Sequence, residues 1–586
     1  MDRIKKITDF ICTNIFEKFF ASWFLASAVG LMFGTGAISL TNTDVLTFVI
    51  SFFVSFIFVC FADGRAKGAV RVILVFAVLL FSMVLLMHRD DIYTFIALAV
   101  FYCISVHHYC SKKEDFTVNL PKKYVITLIS LCFVLFFGVV TAISILRYVT
   151  YAAPNYDFGI FCNMYYNMKN SFTPFTTCER DTLLSHFAVH FSPALYVFLP
   201  VYCIFPSPVT IAVCQTVAIY SGLIPFVLIL KNRKIESLTV CLFSVMYMAN
   251  TAFSMGCSYD FHENCLLAPF ILWMIYFYEK NKTPFVFLFA LLTLTVKEDA
   301  FIYVAVFAAF ITVSNKDWKR GVPLAVVAVV YFAFACWYIN NYGLGIMEGR
   351  FDTMINEDEG LFGIVKTLLF NLSYSVTQIF AVSDNGADKL IYLLELLCPL
   401  GLIPFFTKKP SRLILILPVF LNLLTDYSYQ YDIKFQYNFG ITALMLYACI
   451  LNISDMDVKK RNLTSAIASG LAVMLFFMCI IPTFTRSVNS YISDKEMYSE
   501  IDAVLEGIDE DASVCVSTFF LPHIADRAEL YEVHYTKHTD FDYVILDFRP
   551  GYNGGSLEFA AKFEALGYVR IDSGSEYVGI YVKAEQ

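Results

Sequence analysis

The sequence predicts an α-helical polytopic membrane protein of about fifteen transmembrane helices, with a small extracytoplasmic α/β domain at its C-terminal end. Three observations predict it. Hydrophobic residues fill 58% of the 586 positions and charged residues only 16%, against about 25% in soluble domains. Apolar runs of about 20 residues, the length that crosses a hydrocarbon core, recur along the chain. After Pro482 the composition changes, and short β-like runs alternate with helical ones. The net charge of -8 sits in loops and tail. Basic residues occur as short clusters at the ends of apolar runs, which excludes a nucleic-acid partner. Most of the 17 Cys lie within apolar runs and read as small hydrophobes. Cys162 and Cys178 flank one polar loop and are the one pair placed to bridge on an oxidising side.

The chain opens on a basic stretch, residues 2–6, followed by an apolar run with no small-residue cleavage pattern, so the first helix is expected to be retained. Candidate spans follow at 19–40, 44–62, 69–87, 91–108 and 124–147. After the polar loop come 209–230, 237–254, 264–279, 283–296, 300–314, 322–340, 390–407, 411–424, 438–453 and 463–484. This divides the chain into an N-terminal four-helix extension (1–123), a membrane core (124–484) with outer loops at 150–207 and 341–389, and the C-terminal domain (485–586). Basic clusters near residues 2–6, 63–71, 112–123, 231–234, 279–282, 316–320, 408–412 and 459–461 then share one side, the cytoplasmic side by the positive-inside rule. The N-terminus is expected there, with the protein in the cell membrane. The apolar stretch 192–205, broken by Pro193 and Pro200, is read as lying in the interface. Counting it as a span would throw the later basic loops outside.

With that topology the polar clusters share the opposite face. Asp157, in Tyr-Asp-Phe-Gly, is suited to take a proton from a hydroxyl or to bind a metal, and its position also fits a helix cap. His186 and His190 are spaced i, i+4, as for a shared metal or phosphate, or as two interfacial histidines. Asp260, His262 and Glu263 form a hard-ligand set, and the same spacing fits a capping box. Lys297, Glu298 and Asp299 put three charges at a membrane boundary, where ionisable groups are costly and line cavities, or simply end two helices. Arg350 suits a phosphate clamp. Gln436 and Tyr437 close a Tyr-rich stretch that suits a sugar or an interfacial aromatic belt. In the tail, runs ending at Ser517, His534, Asp547 and Val582 read as strands, and 499–507 and 557–566 as helices. No phosphate-loop or metal spacing occurs there.

Tyr-Asp-Phe-Gly-Ile-Phe161, Ser-His-Phe-Ala-Val-His-Phe-Ser-Pro193, Tyr-Asp-Phe-His-Glu263 and Lys-Glu-Asp299, with Asp511-Ala-Ser-Val-Cys515, Leu521-Pro-His and Arg527 in the tail, resemble a family of predicted bacterial and archaeal membrane proteins of unknown function. The resemblance runs from about Tyr124 to the C-terminus. The organisation is similar to that of GT-C glycosyltransferases. That likeness implies a GT-C-like fold and an inverting transfer of sugar from a polyprenyl-phosphate carrier to an extracytoplasmic acceptor. It also implies a loop acid as general base, matched by Asp157, and often a divalent cation such as Mg or Mn. On this reading His186, His190, Asp260, His262 and Glu263 are the metal candidates. Lys297, Glu298, Asp299, Arg350, Gln436 and Tyr437 are the substrate-binding candidates. The expected partners are membrane lipid and the lipid-linked sugar. The competing classes are a transporter or flippase, which needs polar groups through the midplane, and a non-catalytic lipid-binding scaffold.

Overall fold

The computed structural model describes residues 13–33, 45–65, 69–111, 121–345, 350–355, 360–381 and 386–584. The basic residues at 2–6, 66–67 and 112–113 and the acidic run 356–359 lie outside the described residues. Eleven helices among the described residues are long and apolar enough to cross a membrane. The four other stretches read as spans form shorter pieces. Leu267–Glu279 has 13 residues, Thr283–Leu294 has 12, Gly386–Leu397 has 12 and Pro418–Leu424 has 7. Twelve residues rise about 18 Å, short of a core of about 30 Å. Prolines at 399, 404, 410 and 418 interrupt the second half of this set, where the chain goes into tight turns. The stretch 192–205 likewise forms a turn, Pro193–Val197, and a six-residue helix, Leu199–Ile204, too short to cross.

The first four helices, Ile15–Phe33, Val45–Arg65, Ala69–His88 and Ile92–Ser111, pack on one another and on the long helix Val458–Ser493. Leu74, Phe95 and Tyr102 meet Leu471, Met474 and Met478 there. Gly470 is what admits Tyr102, since a Cβ at 470 would lie 2.3 Å from its ring. Phe53, Val54 and Ile57 stay exposed on the outer side, as lipid-facing residues do. Near the end of this bundle Lys18 and Asp63 form an ion pair at 2.8 Å. The core proper is built round the helix Phe439–Ser454, nearly all of whose residues are buried.

Beyond the membrane helices, two short strands, β1 (Phe175–Thr176) and β2 (Leu184–Ser185), pair antiparallel in the polar loop. The tail forms a five-stranded sheet of β3 (Val514–Val516), β4 (Leu530–Glu532), β5 (Tyr543–Asp547), β6 (Tyr568–Ile571) and β7 (Val578–Lys583), in the order β4-β3-β5-β7-β6. β4, β3 and β5 run parallel, and β7 is antiparallel to β5 and β6. The strand alternation serves both faces. Cys515, Val544 and Leu546 pack with Phe563 of the helix Ser556–Ala565. Val514, Val516 and Ile545 face the opposite way and join the membrane core through Phe520 and Leu521. β6 is the one strand that the tail's composition did not announce.

Candidate active site

The helix Lys122–Val149 ends at the polar loop, where Tyr151 takes a left-handed turn (φ 53°). A single π-helical turn, Asn155–Gly159, follows. Such turns re-aim a side chain within a helix. Asn155 pins this one: its N–H donates to Thr518 Oγ1 at 3.0 Å, and its Nδ2 donates to the Cys178 carbonyl at 3.1 Å and to Glu532 Oε2 at 3.0 Å. Asp157 caps no helix; the residue before the following helix Ile160–Ser171 is Gly159. Its carboxylate, 32% exposed, instead reaches a cavity of about 550 Å³.

Ion pairs line that cavity in a chain. Asp157 Oδ2 lies 3.2 Å from His262 Nε2, His262 Nδ1 lies 3.7 Å from Glu263 Oε2, and Glu263 Oε1 lies 3.1 Å from Lys297 Nζ. Two histidine–carboxylate pairs stand beside it. His186 Nδ1 bonds Glu179 at 2.9 Å. His190 Nδ1 bonds Glu298 Oε1 at 2.8 Å, while Glu298 Oε2 accepts the Phe191 N–H at 3.0 Å. Arg350 lies over the rings of Tyr427 and Tyr437, 4.6 Å and 5.5 Å from their centroids. Gln436 and Tyr437 complete the wall at the start of the central helix. His186 Nε2 and Gln436 Oε1 are buried and meet no hydrogen-bond partner among the described residues, as expected where a polar ligand binds.

Charge states follow from these contacts. Burial pushes the Asp157 carboxyl up, but the charge and hydrogen bond of His262, with Lys297 behind, outweigh it and hold it below the usual value. Burial depresses His262, but Asp157 and then Glu263 push it up to about 9. Glu263, for all its burial, is held well below the carboxylate range by Lys297 and His262, and Lys297 is raised by Glu263 against its own burial. His186 is raised by Glu179 despite burial, and Glu179 is lowered in turn by His186. His190 is lowered by burial and by Lys297, more than Glu298 raises it. At neutral pH the cavity therefore holds ionised Asp157, Glu179 and Glu263, cationic His262 and Lys297, and neutral His190.

The structure thus gathers Asp157, His186, His190, His262, Glu263, Lys297, Arg350, Gln436 and Tyr437 round one space. It leaves three expected residues off the wall. Asp260 turns away to Arg147, which donates to it at 2.7 Å and 3.4 Å. Glu298 is held by His190 and the Phe191 N–H, and Asp299 is half-buried, with one buried carboxylate oxygen that meets no hydrogen-bond partner among the described residues. Cys162 and Cys178 are free thiols. The metal expectation meets a donor set that does not fit it. Each proposed ligand is engaged in its own ion pair, and protonated His262 has no free lone pair to offer. Among the described residues no three His, Cys, Asp or Glu side chains are grouped to hold an ion. Several lining residues carried no signal of their own. Tyr156 reads as an ordinary loop residue, and Tyr535 arrives from the distant tail.

Two solved structures are similar to this one, both of ArnT from Cupriavidus metallidurans. The form bound to undecaprenyl phosphate is 9% identical, with 80% of this chain and 100% of that chain covered and a TM-score of 0.47. The apo form is 9% identical, with 79% and 99% covered and a TM-score of 0.44. No curated protein matches the chain. A family described as "Predicted membrane protein (DUF2079)" matches residues 147–563. That match begins on Arg147, the partner of Asp260, and takes in every charged residue of the cavity wall. It spans well over half of the sequence, and the chain belongs to the DUF2079 family of predicted membrane proteins.

Proposed function

We propose that the chain is a membrane glycosyltransferase of the inverting, GT-C type, moving a sugar from a polyprenyl-phosphate carrier to an extracytoplasmic acceptor. The observation that carries this reading is the pairing of an ionised, half-accessible Asp157 with Lys297 and Arg350 in one cavity. That cavity lies where the membrane helices end. Lys122–Val149 runs toward it from the basic pair Lys122 and Lys123, and Ser237–Cys257 from the basic loop near 231–234. Phe301–Asn315 leaves it for Lys316–Arg320. The positive-inside rule then favours a cytoplasmic basic side and an outward-facing cavity.

A carrier lipid holds its phosphate at this depth, with its chain in the bilayer. The acceptor oxygen attacks the anomeric carbon as its O–H bond breaks, and Asp157 orients that hydroxyl and takes the proton. The bond from the anomeric carbon to the phosphate oxygen breaks, and its electron pair leaves on the phosphate. Lys297 and Arg350 stabilise the charge that develops there. A single displacement inverts the carbon. No step passes through a metal.

The test is transfer from a polyprenyl-phosphate sugar to a panel of acceptors by purified protein in nanodiscs. Asp157→Asn is expected to cut the rate by about 10²–10⁴-fold in protein that still inserts and folds. A wild-type rate would remove Asp157 from the chemistry. Lipid binding without turnover would replace the enzyme reading with the scaffold one, and lipid movement across the bilayer without bond cleavage would replace it with transport.

A further inference from the structure

A second cavity of about 720 Å³ opens beside the first. The two share Tyr156, Ile160, Glu179, Arg180 and Tyr535. The far wall comes from the tail, where Glu532 ends β4 and the chain runs on through Tyr535 to Lys537 and His538. This is the carboxyl edge of the parallel part of the sheet. In open α/β sheets ligands bind outside that edge, where the strand ends release side chains that converge.

The charges there do not cancel. Glu532 is spent on Asn155 and His534, at 3.0 Å and 3.1 Å. Glu179 is spent on His186. Asp181 accepts the Lys537 backbone N–H at 2.8 Å, and its carbonyl bonds His538 Nε2 at 3.0 Å. The Lys537 amine forms no ion pair among the described residues, and the Arg180 guanidinium reaches only the Glu179 carbonyl, at 3.0 Å. Both side chains are exposed at the mouth. Two exposed cations, Arg180 and Lys537, therefore stand against the one carboxylate without a cationic partner among the described residues, Asp181, at a cleft whose inner end opens onto Tyr156, the neighbour of Asp157.

We propose that this second cavity binds the acceptor, and that the acceptor carries an anionic group, a phosphate or a carboxylate, held between Arg180 and Lys537. The role as acceptor site rests on the glycosyl-transfer reading; the affinity for an anion does not. Lys297 and Arg350 then serve the donor anion alone and Lys537 the acceptor anion alone, with Arg180 on the wall between them. The acceptor hydroxyl enters past the shared wall toward Asp157.

The experiment uses the full chain in phosphatidylcholine nanodiscs without any sugar donor. One arm titrates tetragalacturonate, a soluble carboxylate glycan, against neutral maltotetraose. The other dopes the disc with phosphatidylglycerol against further phosphatidylcholine. The expected result is that at least one acidic ligand binds about tenfold or more tightly than its neutral counterpart, and the responding arm names the source. Lys537→Ala, an exposed change that leaves the fold intact, is expected to weaken that binding about tenfold, and Lys537→Glu to abolish it. Equal binding of acidic and neutral ligands in both arms, or acidic binding indifferent to both substitutions, would overturn the proposal. A chain that binds the acid through Lys537 yet never transfers sugar would keep this site and lose the enzyme reading.

Discussion

His262 stands between two carboxylates, and that position sets both its charge and its pH dependence. Its folded value, about 9, is raised above the ordinary 6.5. Its pairing therefore stabilises the fold fully below about pH 6.5 and is lost as pH rises through 9. Asp157 works in the other direction: its contribution is present above its ordinary 3.8 and is lost as pH falls through a lower folded value. Melting temperatures of the wild type are expected to drop between pH 6.5 and 9, and His262→Gln is expected to flatten that slope while lowering stability at pH 6. A wild-type slope in the variant would show that His262 is neutral in the fold. Asp260 belongs to a different system. Its side chain is fully buried against Arg147, so Arg147→Met strands a buried carboxylate and is expected to cost about 3–5 kcal/mol in a denaturation measurement. Adding Asp260→Leu should recover much of that. The sequence could not separate these roles. Asp260-Phe-His-Glu263 reads as one cluster, yet His262 sits in extended backbone (φ -145°), so consecutive side chains point to opposite sides. The capping-box alternative also fails, because the turn after His262 has no side-chain cap.

Elements explain what the residues cannot. Asp157 faces the cavity because of the π turn Asn155–Gly159, and Gly159 lets that turn lie against the tail. A Cβ there would stand 2.7 Å from Leu521 Cδ2 and 2.9 Å from Asn155 Oδ1. Gly159→Ala is expected to cost about 1–3 kcal/mol and to reduce transfer, seen as a lower melting temperature together with a lower rate. A loss of stability with the rate unchanged would separate the turn from the site. Apolar period and length made the eleven long helices legible. Where a run is apolar but interrupted, as at Pro399 and Pro404, the chain forms shorter pieces instead of one long helix, because hydropathy registers composition and is blind to the turns that prolines force. The strands of the tail were legible from β-branched runs, except β6, whose Tyr-Val-Arg-Ile is mostly exposed at the sheet edge.

At the scale of the whole molecule, the tail and the membrane core are one packed body. His523 lies in a stack with Tyr148 and Tyr151, with centroids 4.2 Å and 3.7 Å away, and Tyr151 donates to Asp502 at 2.5 Å. Arg549, paired with Asp547, donates to the Tyr151 carbonyl at 3.2 Å. The sequence announced a shared outer face from charge and span parity. It leaves the tail as a substrate-facing or packing module without naming the residues that meet the cavity, because Tyr535 and Asn155 are joined only by the fold. One helix governs this arrangement. Val458–Ser493 has 36 residues and a length of about 54 Å, against a hydrocarbon core of about 30 Å. The surplus is a ruler: it sets the height at which the sheet is held above the bilayer, and with it the gap through which a reactant must pass. Inserting four residues after Arg486 would lift the sheet by about 6 Å and part Glu532 and Thr518 from Asn155. Transfer is then expected to fall to the level of Asp157→Asn with the spans still inserted, and a wild-type rate would mean that height is free to vary. The tolerance of the protein for thicker or thinner membranes is then written in the length of one helix.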